Sequence, residues 1–456
     1  MSFAAYDITF FVLFTLFVII FLYIRRHNLK REGALYLYKT RVGIRFIDSF
    51  TKKYGKILAP LQYLIIICGY FLLILGIYTI FRFAFFYITS PIAAKALKVP
   101  VIMPLIPYLP ELFKIDFLPP FYFTYWILII AAIAIPHEFA HGIFARLNNI
   151  KIHSTGFGFL GPFIAAFVEQ DDKQMKKRSK FAQLSVLAAG TFANIIVGIL
   201  FALILWIFFV SAFAPSGIIF NSYAASEINL SQISSISSMD NSTMLKINAM
   251  NKTYFIEQSI LNDSMNNNLT KIYAFDDSPA YNAKLSGAII EADFTKVTSY
   301  EELIKIIYSH SPGDTIQIKT YNGTAIRTYE ITLGDKDGKA FLGIGIYSAK
   351  HSGFFGLFYK LIEKIRNPNI YYQSKIGDFG IFILDLLWWL VLVCFSVALM
   401  NMIPAGIFDG GRFFYLTILS LTNSEKIAKY SFAFATWLLL ALLFLMLLKW
   451  AFALFL

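Results

Sequence analysis

Cysteine is almost absent from this chain, with two in 456 residues. Cys68 and Cys394 each sit in an apolar run, which argues against a disulfide framework and against a cysteine-based zinc site. Charge is also scarce, at 15% of residues against 57% hydrophobic. With a mean hydropathy of +0.62, that balance excludes an ordinary soluble domain and indicates an integral membrane protein. The charge that remains is basic, net +12. It clusters in loops beside apolar spans, where it serves as topology signals and as contacts to the anionic lipid bilayer; no nucleic-acid partner is expected. An aromatic share of 18% suits membrane interfaces.

The charge order of a cleavable signal peptide is missing too. The first 24 residues are apolar, but Arg25, Arg26, Lys30 and Arg31 follow the apolar run instead of preceding it, so the segment reads as a retained first helix. Five further stretches are long enough to span a bilayer: Ile57–Ile88, Phe121–Leu147, Phe181–Phe213, Ile381–Met402 and Tyr430–Leu456. Residues 25–56 and 146–180 are rich in Lys and Arg, which assigns both to the cytoplasm. Six spans then leave residues 89–120, residues 214–380 and both termini outside. The Asn-x-Ser/Thr triplets at Asn229, Asn241, Asn251, Asn262, Asn268 and Asn322 all fall in that large outer loop.

The outer loop has two parts. Ser216 to about Asn268 is polar, with short β-like runs. Residues 271–347 are more regular: a strand-like Lys271–Phe275, Ser278-Pro279-Ala280, a helix-like Tyr300–Ser309 and two strands, Thr315–Tyr321 and Arg327–Leu333, joined around Asn322-Gly323. The order resembles a bacterial-type PDZ domain, with Lys284 where its signature has glycine and Ala288 where it has aspartate.

His137-Glu138-Phe139-Ala140-His141 lies inside the third apolar stretch. On a helix, residues four apart share a face, so both histidines can reach one metal ion, with Glu138 about 100° around the wheel and near a water on that ion. Ionisable groups inside a bilayer are costly and by default mark function. Pro136 predicts a local kink. A catalytic zinc takes three protein ligands and keeps an open position. His27, His153, His310 and His351 lie in loops, so a carboxylate within a span is the better third ligand. Asp409 follows the inner end of the fifth span; Asp385, near that span's outer end, is the rival.

His-Glu-x-x-His in one span, with Asn401-x-x-Pro404 and Asp409-Gly410 after another, resembles the site-2 protease family of intramembrane metalloproteases. The likeness runs from about residue 57 onward. It implies that His137, His141 and Asp409 hold Zn²⁺ and that Glu138 is the catalytic base. Gly190-x-x-x-Asn194 resembles a further family element, so that Asn194 and Asn401 would hold the substrate backbone or the oxyanion. Residues Ser154–Glu169 resemble the family's membrane-associated β-hairpin, whose edge could pair with an unwound substrate. Substrates would be membrane-spanning proteins, cleaved within or near their spans. A catalytically silent helix-binding protein and a zinc transporter are the other classes; polar residues along several spans or internal repeats would favour the transporter, and neither is evident.

The expected whole is a polytopic α-helical membrane protein of about six transmembrane helices, with a membrane-associated β-hairpin and an inserted extracytoplasmic α+β PDZ-like domain. Its parts are residues 1–56 (first helix and basic loop), 57–213 (first half of the membrane core), 214–350 (insert) and 351–456 (second half).

Overall fold

The computed structural model describes residues 3–455 apart from 34, 90–103, 114, 116–117, 240–242, 268 and 347–365. Asn241, Asn268, His351 and the boundary expected at residue 350 lie outside the described residues. The chain forms two compact units, residues 1–207 with 382–456, and residues 208–381.

The first unit is a helical bundle: α1 (Phe3–Ile24), α2 (Ile44–Thr89), α3 (Phe123–Leu147), α4 (Lys180–Ala212), α5 (Gly377–Asn401), a shorter α6 (Asp409–Thr422) and α7 (Glu425–Phe455). Six of these, all but α6, are long and apolar enough to cross a membrane. Ile57, Tyr63, Ile67 and Ile74 on α2 and Tyr430, Phe434 and Trp437 on α7 are exposed, the ordinary outer surface of a protein solvated by lipid. α2 has 46 residues, roughly 69 Å at 1.5 Å per residue, so it extends well beyond a hydrocarbon core of about 30 Å.

Lipid tails are as apolar as leucine, so close packing and interhelical hydrogen bonds hold such helices together. Small residues meet at the centre: Ala145, Ala188, Ala189 and Ala398 are buried with Ile65, Leu72, Phe413 and Leu416. Gln62 on α2 accepts from Asn148, just past α3, and from Ser185 on α4. α3 has a clear reason for its orientation. Tyr125, Ile129, Ile133, His137, His141 and Ala145, each four residues from the last, are all buried, forming one ridge along the helix. The two histidines continue an apolar ridge into the core. The helix runs unbroken through Pro136.

The fifth crossing differs from the sequence expectation, which has Asp409 beyond the end of a single helix. Along α2, Gly76 lies against Leu399 and Ile403, whereas Gly69 lies against Phe413. Along α4, Gly198 lies against Cys394, and Lys180 at the helix start donates to the Leu419 carbonyl. α6 therefore continues the crossing that α5 begins, and Asp409 stands at a break inside it. Pro404 cannot continue α5. Residues 402–405 of the break are buried, the condition under which non-helical backbone is tolerated at membrane depth.

The expected hairpin is present as β3 (Ile152–Leu160) and β4 (Phe163–Gln170). It is half of a four-stranded antiparallel sheet, because β1 (Leu29–Glu32) and β2 (Leu35–Thr40), from the segment between α1 and α2, add to β3 in the order β1-β2-β3-β4. Lys39 on β2 reaches across β3 to both carboxylate oxygens of Glu169 on β4, at 2.7 Å each. That ammonium, together with the Ser154 hydroxyl, holds the Glu169 carboxyl below the usual carboxylate range.

Among the described residues the second unit contains two larger sheets and two two-stranded ones. The polar stretch forms β6 (Ala225–Asn229), β7 (Ile233–Ser238), β8 (Met244–Ala249) and β9 (Lys252–Glu257), joined by β10 (Lys271–Asp276) in the order β6-β10-β9-β8-β7. This sheet buries its own core of Ile228, Ile247, Ile256, Leu261 and Ile272. The other sheet combines β5 (Phe213–Ile218), β11 (Ala288–Ala292), β12 (Thr315–Tyr321), β13 (Ile326–Thr332) and β14 (Ile370–Ser374) in the order β13-β12-β11-β5-β14, with Thr295–Lys296 pairing β11. Two expectations change here. The strand expected to open the PDZ-like part, Lys271–Phe275, belongs to the five-stranded sheet. Strands from outside 271–347 complete the other: β5 follows α4 directly and pairs with β14, just before α5. Alternating hydrophobicity marks a strand but does not say which partner it takes.

Candidate metal centre

The site is assembled from α3, α4, β4 and the break before α6. His137 and His141, one turn apart, are 8% and 5% exposed, and their Nε2 atoms face each other at 3.0 Å. Asp409 Oδ2 lies 3.5 Å from His137 Nε2 and 3.3 Å from His141 Nε2. Zinc bonds of about 2.0–2.2 Å in a tetrahedron place neighbouring ligand atoms roughly 3.3 Å apart. The three observed separations fit one such ion, and two nitrogens with one carboxylate oxygen form a donor set that zinc accepts. Among the described residues these three form a group whose geometry could hold a metal ion. Asp385 is not part of it. His153 and His310 pair instead with Asp171 and Asp293.

Asp409 reaches the histidines because α6 starts against the end of α5. A Cβ on Gly410 would stand 2.2 Å from the carbonyl carbon of Met402, so only glycine lets the first turn of α6 press on that backbone. The Asp-Gly pair thus combines a candidate ligand with the residue that permits its approach.

Glu138, the next residue around α3 from the histidine ridge, is half-buried. Its Oε2 accepts from the backbone N–H of Val168, 2.9 Å away on β4. Among the described residues β4 is an edge strand that pairs only with β3. The Val168 N–H therefore faces away from the sheet, and Glu138 sits along its open edge.

α4 backs the two imidazoles. His141 Nδ1 lies 2.7 Å from the carbonyl oxygen of Val186, and Asn194 Nδ2 lies 3.1 Å from His137 Nδ1. Between them, a Cβ on Gly190 would stand 2.4 Å from His141 Nε2 and 2.6 Å from His137 Nε2. Val186, Gly190 and Asn194 are spaced i, i+4, i+8, one stripe of α4. The structure brings Asn194 against a ring nitrogen of His137. Asn401, the last residue of α5, is half-buried, and its amide makes no hydrogen bond to any described residue.

Two contributors have no place in the sequence reading. Val186 acts through its backbone carbonyl, for which side-chain patterns carry no signal. Asp7, in α1, binds the start of α3; a lone acid seven residues into an apolar helix is the signal that marks it.

The sequence model of Peptidase family M50 matches residues 125–446, more than half of the chain, and that range contains His137, Glu138, His141, Asn194, Asn401 and Asp409. An uncharacterized protein of Methanocaldococcus jannaschii is similar to this chain, 29% identical over 179 residues that make up 37% of this chain and 43% of the relative. The chain thus spans less than half the length of that curated relative.

Proposed function

Because the chain belongs to Peptidase family M50, the site-2 protease family, we propose that it is a zinc endopeptidase that hydrolyses peptide bonds within or near the membrane spans of other membrane-anchored proteins. The observation that carries this reading is the trio of side-chain atoms 3.0, 3.3 and 3.5 Å apart, two of them on a helix apolar enough to cross a membrane. His137, His141 and Asp409 would hold Zn²⁺. When bound there, zinc supplies Lewis acidity to water and to the carbonyl under attack.

The remaining steps belong to the chain's own residues. Glu138 takes the proton of the attacking water and returns it to the leaving amine. Its anchor on Val168 keeps the carboxylate beside the open edge of β4. A helical substrate hides its carbonyls in internal hydrogen bonds, so it must unwind before attack. An unwound segment can satisfy its backbone by adding to β4, which draws the scissile bond past Glu138. The free amide of Asn401 supplies a donor for the substrate backbone or the oxyanion.

The proposed topology has residues 25–56 and 146–180 in the cytoplasm and residues 214–380 outside, as the loop charges indicate. The part of the insert built on β11–β13 is proposed as a PDZ-like module that sorts substrates by their outer portion. A cavity of about 340 Å³ lined by Ser299, Tyr300, Glu301, Ile346, Asn367, Asn369 and Ile370 offers it a peptide-sized recess.

The test is cleavage of a panel of single-span proteins by the wild type and by Glu138→Gln. Wild-type cleavage with none by Glu138→Gln, while both retain about one zinc per chain, supports the proposal. A wild type that binds zinc and cleaves nothing points to the silent helix-binding class, and zinc flux through vesicles points to a transporter.

A further inference from the structure

Asn194 is fully buried, and its amide nitrogen faces His137 Nδ1 at 3.1 Å. Its Oδ1 is buried without a hydrogen-bond partner. In this orientation Nδ1 of His137 accepts, which puts the ring proton on Nε2, facing His141 and Asp409. That tautomer cannot offer Nε2 to a metal, because the lone pair a metal needs is occupied by a proton.

Turning the amide by 180° exchanges its two nearly identical ends. Oδ1 then accepts from Nδ1–H, the orphaned acceptor finds a donor, and the Nε2 lone pair of His137 points into the cluster of ligating atoms. We infer that Asn194 is the positioning residue for His137, selecting the metal-binding tautomer through its amide oxygen. The inference rests on the metallopeptidase reading above and assigns Asn194 a role other than direct contact with substrate.

His141 provides the comparison within the same site. Its Nδ1 faces the Val186 carbonyl at 2.7 Å, an acceptor that cannot be turned into a donor, so the Nδ1–H tautomer is already set there. Both acceptors come from one stripe of α4, on either side of Gly190. Two imidazoles directed at one point thus each receive an acceptor behind them from a single helix, the arrangement that fixes ring orientation and raises ligand basicity at metal sites. The turn leaves Nδ2 of Asn194 as a donor without a described partner, so the acceptor and donor ends can be tested separately.

Asn194→Asp keeps an acceptor oxygen and removes the donor; Asn194→Leu keeps the approximate volume and removes both. The measurements are zinc affinity by chelator competition and the visible spectrum of the Co²⁺-substituted full-length protein, with thermal unfolding on the same samples. Asn194→Asp is expected to hold zinc within a few-fold of wild type or more tightly, with a wild-type-like Co²⁺ spectrum. Asn194→Leu is expected to lose about 10- to 100-fold in zinc affinity, the usual effect of removing such a partner, and to show an altered spectrum. A folded Asn194→Asp that loses zinc as Asn194→Leu does would overturn the inference, since the donor end would then be the one that matters. Wild-type affinity in Asn194→Leu would overturn it as well. Failure of the wild type itself to bind zinc would instead count against the metallopeptidase reading.

Discussion

Asp7 in α1 and Thr124 in α3 are joined twice: the backbone N–H and the hydroxyl of Thr124 both donate to Asp7 Oδ1, at 2.9 and 2.5 Å. Asp7 Oδ2 accepts from the Phe123 N–H at 2.8 Å and from the Tyr108 hydroxyl at 2.5 Å. The helix that carries His137 and His141 therefore has its N-terminal cap supplied by another helix. Tyr122, at its own N-cap position, makes no side-chain cap bond, and the first N–H groups of a helix have no partner within it. A carboxylate there also meets the positive end of the helix dipole.

Asp7→Leu should lower stability by about 2–3 kcal/mol, because it removes charge-assisted bonds and leaves buried donors unpaired. Thermal unfolding in detergent measures this. Zinc content should stay at about one per chain, because Asp7 touches no ligand. An unchanged unfolding temperature would show that the cap is dispensable.

Gly190→Ala should abolish tight zinc binding. The added Cβ would stand 2.4 Å from His141 Nε2 and 2.6 Å from His137 Nε2, and both belong to the proposed zinc site. The helix and the rings would have to part by several tenths of an ångström. A loss of at least about 10-fold in zinc affinity, the lower end for disturbed metal sites, is expected. Metal content near that of wild type after dialysis against a chelator would contradict this packing.

Asn401→Ala should leave zinc in place and lower turnover by on the order of 100-fold, the typical effect of one lost oxyanion-type hydrogen bond. Its amide is not engaged by any described residue, so the variant removes no hydrogen bond among them. Zinc content, unfolding temperature and cleavage rate on one preparation decide the matter. Near-normal cleavage would remove Asn401 from the chemistry.

Single cysteines at Lys173 and Asn262, on an otherwise cysteine-free background, should label from opposite sides of sealed vesicles. Loop charge motivates the assignment. Labelling of Asn262→Cys from the cytoplasmic side would reverse the proposed topology.

The parts of the site that were readable in the sequence are those that act locally. His137, Glu138 and His141 share one helical turn, so spacing alone brings them together. Asp409 was reachable as a carboxylate near a span end, but the break that holds it was not. Ile403, Ala405, Ile407 and Phe408 are as apolar as the helix before them, and only Pro404 and Gly406 interrupt the run. β1 and β2 were hidden for another reason. Lys30, Arg31, Lys39 and Arg41 flank Leu35-Tyr36-Leu37-Tyr38, so the segment read as a basic loop, and its partner β3 lies more than a hundred residues away. Asp7 is marked as a lone acid in an apolar helix, but its partner, the start of α3, is more than a hundred residues away. In each case the missing information was a long-range contact, which periodicity does not encode.

The order in which the ligands occur along the chain has a consequence for biosynthesis. Both histidines and Glu138 are made early, before the insert; Asp409 comes after it, at a break that needs α5 and α6 on either side. A chain halted by the ribosome anywhere short of that aspartate has two imidazoles on a helix and no third ligand. Under the proposed function, a chain released prematurely into the membrane would therefore be inert, because Asp409 is made only after the insert and α5.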